Sequence, residues 1–236
     1  MFDLHLGASL RVPSVAFKDG FFVTGNAGQG KSVWLEQLMI EVIKNRQTGL
    51  LLDPFGDLAS EVQGHLKTSG AKNHVMFSDF EVPQKQLDIF LKDKFVVASG
   101  HLFKDGSRMT LKLGSTLLAR FFKQAKSGQW LIIDEAFSFV TDDLFEQYLQ
   151  AGKLGLNAVF STMDFYQLSE EERHRFAQHV KNLVIYKPRN INALMMAKEW
   201  KGLDPEQIKA IKQYHFQLLL DGKLSYHAAV FPVESI

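Results

Sequence analysis

Apolar runs alternate with amphipathic stretches along most of the 236 residues. Short apolar runs bounded by turn residues predict buried strands, and apolar residues at every third or fourth position predict helices. Strands are predicted at 21–24, 50–52, 74–78, 94–99, 129–133, 157–162 and 182–187. Helices are predicted across 31–45, 58–66 and 114–125. This alternation indicates an α/β fold with a mainly parallel sheet and helices on both faces.

The C-terminal pattern is different. Two alternating runs in HFQLLLDGKLSYHAAVF, residues 215–231, flank Asp221-Gly222 and predict a β-hairpin with a two-residue turn. We find no internal repeat, no low-complexity segment and no linker in the sequence. Residues 1–236 are therefore expected to form a single domain.

Residues 25–32, GNAGQGKS, fit the phosphate-binding pattern G-x-x-x-x-G-K-[ST]. Glycines allow such a loop to curl so that its N–H groups point inward, and the helix that starts at about Lys31 adds partial positive charge. Lys31 is expected to reach the β- and γ-phosphates of ATP, and the Ser32 hydroxyl to bind Mg²⁺. The expected nucleotide-binding residues are Gly25, Asn26, Ala27, Gly28, Gln29, Gly30, Lys31 and Ser32. The alternative is a glycine-rich turn that fits by chance, but strand, loop and helix follow in the required order.

Two carboxylates follow the strongly apolar strand in residues 130–135, WLIIDE. Ligands of open parallel sheets bind at the carboxyl ends of strands. Asp134 is therefore expected to hold Mg²⁺ as a Walker B aspartate, and Glu135 to orient or deprotonate the attacking water. The alternative is an acidic pair that opens a helix. The adjacent glutamate also predicts that strand 157–162 lies between the P-loop strand and the Walker B strand.

Composition sets further limits. The net charge of +1 indicates no global affinity for nucleic acid or membrane, but it does not exclude a local basic surface. The absence of cysteine excludes disulfides and thiolate metal sites. No apolar run approaches the ~18 residues of a membrane span, so the expected location is the cytoplasm, free or peripheral to a membrane or capsid complex.

LLLDPFGDLA at 50–59 resembles the Asp-Pro-x-Gly-Asp-Leu stretch of the HerA/FtsK superfamily, which comprises ring-forming DNA-translocating ATPases. The similarity is greatest to the coupling ATPases of conjugation and type IV secretion, and viral DNA-packaging ATPases are also similar. The similarity extends over about residues 20 to 220. Four further segments resemble the family: LKLGSTLLARF at 111–121, IIDEAFSF at 132–139, LQAGKLGLNAVFST at 149–162 and FYQLSEE at 165–171.

The resemblance implies a RecA-like P-loop fold, with ATP and Mg²⁺ as ligands. It also implies sequence-independent binding of DNA, a homo-oligomeric ring such as a hexamer, and partner proteins in a secretion machine or a capsid. It places Asp53 beside the γ-phosphate or its water. The alternative is a turn residue before Pro54; Asp53 is expected in the catalytic site, and Asp57 is expected to cap the next helix.

Two positions depart from the family pattern. Gly152 stands where the family has an arginine near a neighbouring subunit's γ-phosphate, and Met163 replaces a glutamine that senses the γ-phosphate. Lys153 is then the expected catalytic substitute for the arginine, and Arg189 is a second candidate. Both departures affect the coupling of hydrolysis to the ring.

Lys104, Arg108 and Lys112 are candidate DNA contacts in or near one loop, because basic residues near a pore would contact phosphates without reading sequence. The alternative is a solvated surface loop. Overall, the sequence predicts an ATP-hydrolysing DNA motor of the conjugation or packaging type. Two other readings stay open: a nucleotide-dependent adaptor with weak or no hydrolysis that acts on a protein partner, and a motor whose substrate is protein.

Overall fold

A computed structural model describes residues 2–6, 10–78, 84–100, 110–136, 144–163 and 165–229. The strands are β1 Asp3–His5, β2 Arg11–Pro13, β3 Phe21–Thr24, β4 Gly49–Asp53, β5 His74–Ser78, β6 Phe95–Ser99, β7 Trp130–Ile133, β8 Asn157–Thr162, β9 Asn182–Tyr186, β10 His215–Leu220 and β11 Lys223–Ala228. The helices are α1 Lys31–Lys44, α2 Asp57–Ser69, α3 Gln84–Asp93, α4 Thr110–Gln124, α5 Leu144–Lys153, α6 Glu170–His179, α7 Asn190–Glu199 and α8 Pro205–Lys209. Short 3-10 helices span Ser14–Asp19 and Phe165–Gln167.

Within the described residues, nine strands form one sheet in the order β11-β10-β9-β3-β8-β7-β4-β6-β5. Strands β3 to β9 pair in parallel, and β10 pairs antiparallel with both β9 and β11. The predicted mainly parallel sheet and the C-terminal hairpin are therefore confirmed. The predicted position of strand 157–162 is confirmed as well, since β8 lies between β3 and β7.

The inner strands are buried along their whole length because both faces of the sheet are covered. One face carries a core that includes Phe22, Phe121 and Phe176, and the other carries a core that includes Phe17, Trp34 and Trp130. All six aromatic side chains are almost fully buried. The numerous aromatic residues thus fill the two layers between the sheet and its flanking elements.

The N-terminal segment adds structure that the apolar pattern does not predict. Strands β1 and β2 pair antiparallel as a separate two-stranded sheet, and the 3-10 helix that follows brings Phe17 against Phe21 with ring centroids 4.2 Å apart. In the described part of the chain, no helix has the length and apolar character needed to cross a membrane.

Candidate nucleotide-binding site

The P-loop connects β3 to α1 through a backbone that only glycine adopts readily. Gly25 and Gly30 have φ angles of 149° and 113°. A Cβ at Gly25 would lie 2.5 Å from the Cβ of Tyr186, and one at Gly30 would lie 3.0 Å from Tyr186 Cε1. The loop therefore passes so close to β9 that a side chain at Gly25 would collide with it. Gly30 then serves as the N-cap of α1, which begins at Lys31 as predicted.

Lys31 is buried inside the curl of this loop, with 6% of its surface exposed. Its Nζ donates hydrogen bonds to the carbonyl oxygens of Gly25 at 2.8 Å and Asn26 at 3.5 Å. The same Nζ lies 3.8 Å from Oε1 of Glu135. A buried cation bonded to loop carbonyls can turn to the oxygens of a phosphate, which are stronger acceptors because they are charged.

A cavity of about 350 Å³ opens beside the loop, at the edge where β3, β4, β7 and β8 have their carboxyl ends. Its walls come from the P-loop and α1, from the ends of β4 and β7, and from two later loops. The lining residues are Asn26, Ala27, Gly28, Gly30, Lys31, Ser32, Val33, Asp53, Phe55, Asp57, Asp134, Glu135, Met163 and Tyr214. The structure thus brings together the predicted Lys31, Ser32, Asp53, Asp134 and Glu135.

Asp134 follows β7 and is 9% exposed. The Ser161 hydroxyl on the neighbouring strand β8 donates a hydrogen bond to Asp134 Oδ1. Burial raises the pKa of Asp134, and the bond from Ser161 partly offsets this effect. Ser161 was not predicted as a site residue; its only sequence signal is its place near the end of a strand expected beside β7.

Glu135 is held by backbone geometry as well as by contacts. Its φ of 43° is in the left-handed region, which costs a residue other than glycine about 1–3 kcal/mol and is a common feature of functional sites. The backbone N–H of Glu135 donates to Ser161 Oγ at 3.2 Å, and the Met163 N–H donates to Glu135 Oε2 at 3.1 Å. Oε1 is the oxygen nearer Lys31. The backbone of Met163 therefore orients the carboxylate although the family's glutamine side chain is absent.

Asp53 does the capping that the sequence assigned to Asp57. Its carboxylate accepts hydrogen bonds from the N–H groups of Phe55, Gly56 and Ala59 at 2.9–3.1 Å. The N-cap position of α2 is Gly56, and Asp57 is the first helical residue, so the predicted Asp57 cap is wrong. The chain bends at 54–56, and the Asp53 carboxylate faces these N–H groups across the bend. Burial raises the pKa of Asp53, and its three backbone hydrogen bonds oppose this, while Asp134 adds to the rise.

The C-terminal part of the chain supplies a wall that sequence reasoning missed. Tyr214 lines the cavity, and its backbone N–H donates to the Gln29 carbonyl at 3.0 Å. Gln213 Nε2 donates to the Gly28 carbonyl at 3.0 Å. The segment before β10 thus braces the P-loop and places an aromatic ring, 37% exposed, at the cavity. No local sequence motif predicts the contact between this segment and the P-loop, because the contact depends on how β10 joins the sheet.

The donor set fits Mg²⁺ bound together with a phosphate-bearing ligand. Four carboxylates (Asp53, Asp57, Asp134 and Glu135) share a cavity in which Lys31 is the one cationic side chain among the described lining residues. Mg²⁺ is usually held by one or two carboxylates plus substrate phosphates, and it would offset this excess of negative charge. The Ser32 hydroxyl and the Asp134 carboxylate are the oxygen ligands that the protein offers.

Lys153 does not join this group. It is the last residue of α5, and the bonds from Gly155 N–H to Gly152 O and from Gly128 N–H to Gly155 O tie that helix end to the loop before β7. This is the edge where β7 and β8 begin, roughly 16–20 Å from the carboxyl edge for a six-residue strand. Lys153 is thus remote from its own cavity, and the predicted catalytic role requires a neighbouring subunit.

Arg189 lies on the same edge as the P-loop, because it follows β9 and β9 pairs with β3. The Asn26 N–H donates to the carbonyl of Lys187 at 3.1 Å, which joins the two loops. Arg189 itself is exposed, and its Nη1 donates to the Tyr166 hydroxyl at 3.4 Å. It does not line the cavity.

The predicted DNA contacts fall largely outside the described residues. Lys104 and Arg108 belong to 101–109, and the side chain of Lys112, in the first turn of α4, also lies outside the described part. Their role stays a prediction.

The arrangement of sheet, P-loop and paired carboxylates is that of a RecA-like P-loop fold. No protein-family model and no curated protein matches the chain.

Solved structures share this fold at low sequence identity. The genome packaging NTPase B204 from Sulfolobus turreted icosahedral virus 2, in complex with ATP-gammaS, matches with a TM-score of 0.61 and 16% identity over 91% of this chain and 99% of that one. The bacterial conjugative coupling protein TrwBdeltaN70 matches at 0.69 and 11% over 96% and 88%. VirB4 of Thermoanaerobacter pseudethanolicus matches at 0.68 and 8% over 98% and 96%. The family resemblance is therefore confirmed at the level of the fold.

Proposed function

We propose that this protein is a Mg²⁺-dependent ATPase that moves DNA without regard to sequence, in conjugation or in DNA packaging. The observation that carries the proposal is the convergence of Lys31, Asp134 and Glu135 on one cavity at the carboxyl edge of the sheet. Phosphoryl transfer requires mainly positioning and charge stabilisation, and these three groups supply both. B204, whose fold is similar, is a genome packaging NTPase with ATP-gammaS bound.

Each residue has a role that follows from its contacts. Lys31 leaves the Gly25 carbonyl for the β- and γ-phosphates, and the curled loop N–H groups hold the same phosphates. Ser32 and Asp134 are the residues that would hold Mg²⁺, and the ion would supply positive charge beside the phosphate oxygens. Glu135 accepts a proton from the attacking water or orients it, since Met163 fixes one of its oxygens and leaves the other facing the cavity.

Assembly into a ring would account for the position of α5. Because the end of α5 lies at the opposite edge of the sheet from its own cavity, a residue there can act on a nucleotide only across a subunit interface. Gly152 brings no charge to that interface, and Lys153 brings a point charge without the planar fork of arginine. We therefore propose slow intrinsic turnover in a homo-oligomeric ring, with DNA as the substrate.

A second function is favoured by one specific observation. Gly152 and Met163 replace the two side chains that the family uses to couple hydrolysis to the ring. An adaptor that binds ATP, hydrolyses it weakly or not at all, and acts on a protein partner in a secretion or transfer machine would tolerate both losses. Intact Lys31, Ser32, Asp134 and Glu135 favour the motor.

ATP hydrolysis measured with and without double-stranded DNA, together with the native mass of the protein with ATP and Mg²⁺, separates the two. A motor should hydrolyse ATP faster when DNA of any sequence is present and should show a ring-sized mass. Tight ATP binding without DNA-stimulated hydrolysis would instead identify the adaptor.

A further inference from the structure

A second cavity, of about 650 Å³, lies at the edge of the sheet opposite the nucleotide site. It is formed where α1 and α2 end and where β5 and β6 begin. Four cationic side chains line it: Lys44, Arg46, Lys72 and Lys94. Lys44, Arg46 and Lys72 are exposed, and Lys94 is half-buried. The described lining contains no acidic side chain. On a protein with a net charge of +1, this is a marked local concentration of positive charge.

None of the four cations forms an ion pair with a carboxylate in the described part of the chain. One of them has a structural contact, since Lys94 Nζ donates to the carbonyl of Lys72 at 3.0 Å. The electrostatic effect of Lys94 extends to His74 on β5, where burial and then Lys94 lower the pKa of the imidazole. The cluster therefore holds uncompensated charge that an anion would neutralise.

Cations commonly occur at helix C-termini because they interact with the last carbonyl groups. At the end of α1 other donors perform that task. The Glu41 carbonyl accepts bonds from the backbone and the side chain of Asn45, and the Ile43 carbonyl accepts from Arg46 N–H and Asn73 Nδ2. The side chains of Lys44 and Arg46 are thus not required to end the helix.

The backbone of Arg46 supports the same conclusion. The bonds from Arg46 N–H to Ile43 O and from Gln47 N–H to Val42 O form a Schellman motif. Arg46 occupies its left-handed position, with a φ of 55°, where glycine is the usual residue. A strained arginine at a place suited to glycine points to a function for the guanidinium.

We propose that this cavity binds phosphate groups of a nucleic-acid backbone. Ammonium, guanidinium and amide N–H groups dominate its polar lining, and they are the donors that phosphate oxygens accept from without sequence specificity. An acidic protein segment is a poorer fit, because docking sites for proteins are built around buried apolar or aromatic anchors and the described lining contains no aromatic side chain. The inference rests on the proposed function, which supplies DNA as the substrate, and adds a contact away from the ATP site.

The test uses the double variant Lys44→Ala/Arg46→Gly in the full chain. Glycine relieves the left-handed backbone at position 46, so the variant should fold, and its thermal unfolding provides the check. The matched control is Lys201→Ala/Lys223→Ala, which removes two exposed cations elsewhere. Affinity for a fluorescent DNA duplex is measured from low to moderate salt. Removing two phosphate contacts should lower the slope of log K against log salt by about 1–2.

We expect weaker DNA binding and a reduced slope in the double variant, with neither change in the control and with DNA-independent ATP hydrolysis unchanged. Inorganic polyphosphate and polyglutamate serve as competitors. If the double variant loses polyphosphate binding but keeps DNA binding, the cavity binds a small phosphate ligand. If polyglutamate competes with DNA as well as polyphosphate does, the cavity does not select phosphate. Either result would overturn the proposal. So would a double variant that binds DNA as the parent does. If the parent hydrolyses ATP but binds no DNA, both the inference and the DNA substrate fail, whereas parent-like DNA binding by the variant overturns the inference alone.

Discussion

Replacing Glu135 by glutamine tests the catalytic assignment in the nucleotide cavity. The Glu135 carboxylate accepts a bond from Met163 N–H at 3.1 Å and lies 3.8 Å from Lys31 Nζ. A glutamine carbonyl can accept the same bond from Met163, so the side chain should keep its position. What is lost is the basicity of the carboxylate and its negative charge beside Lys31.

General-base catalysis contributes about 10²–10⁴ to a rate, or about 3–5 kcal/mol of transition-state stabilisation. Glu135→Gln should therefore reduce single-turnover hydrolysis by at least about 100-fold. ATP affinity should be unchanged or slightly higher, because Lys31 loses a competing anion.

Single-turnover hydrolysis and equilibrium binding of a fluorescent ATP analogue separate the two effects. Glu170→Gln provides a matched control, since it removes an exposed carboxylate that pairs with Lys198 on the protein surface. If Glu135→Gln hydrolyses ATP at the parent rate, Glu135 is structural, and Asp53 becomes the candidate base. If ATP affinity falls together with the rate, the carboxylate is needed to shape the site rather than to activate water.

Four further substitutions test other parts of the account. Gly152→Arg should raise ATP turnover by about tenfold or more if the ring assembles, because an arginine finger increases turnover by up to ~10³–10⁵-fold and a Cβ at this position meets no atom within 4 Å. Lys153→Ala should lower turnover if that lysine acts in the ring. Fast turnover by the parent that Lys153→Ala leaves unchanged would show that another residue acts as the finger. Ser161→Ala removes the hydrogen bond that opposes the raised pKa of Asp134, so the carboxylate should bind Mg²⁺ less well. The Mg²⁺ concentration that gives half-maximal ATPase activity should therefore rise. An unchanged concentration would contradict the assignment of Asp134 as a Mg²⁺ ligand. Burial, then Glu61, raises the pKa of Glu36 to about 7 from its ordinary 4.5, while His65 Nε2 lies 3.0 Å from Glu36 Oε1. The parent should therefore lose unfolding free energy relative to Glu36→Gln as the pH rises from about 4.5 to 7. Urea unfolding at several pH values measures this loss, and parallel curves for the two proteins would contradict it.

Local patterns were sufficient for most of the sheet and for the P-loop. Strands β3 and β7 are short, mostly apolar runs, and such runs indicate burial on both faces of the sheet. The P-loop between β3 and α1 carries glycines at positions where a Cβ would strike Tyr186. In these segments the residue types alone determine the local backbone conformation, so the sequence predicts the geometry correctly.

Contacts between distant segments could not be predicted in the same way. Ser161 and Tyr214 reach the site only because β8 and β10 take particular places in the sheet. Asp53 and Asp57 are four residues apart, and either could cap α2 on residue type alone. In the structure it is the Asp53 carboxylate that accepts from the N–H groups of Gly56 and Ala59. Residue type at the two positions does not say which carboxylate points back toward these groups.

Titration of Mg²⁺·ATP into the parent protein and into Lys31→Ala tests the central claim most directly. Lys31 supplies the cationic side chain among the described residues of the cavity, between the loop carbonyls and Glu135. Calorimetry should show one ATP bound per parent chain and a loss of at least about tenfold in affinity for Lys31→Ala, equivalent to about 1.4 kcal/mol or more. Equal affinities for the two proteins, with both folded, would show that the loop at residues 25–32 does not bind the phosphates of ATP.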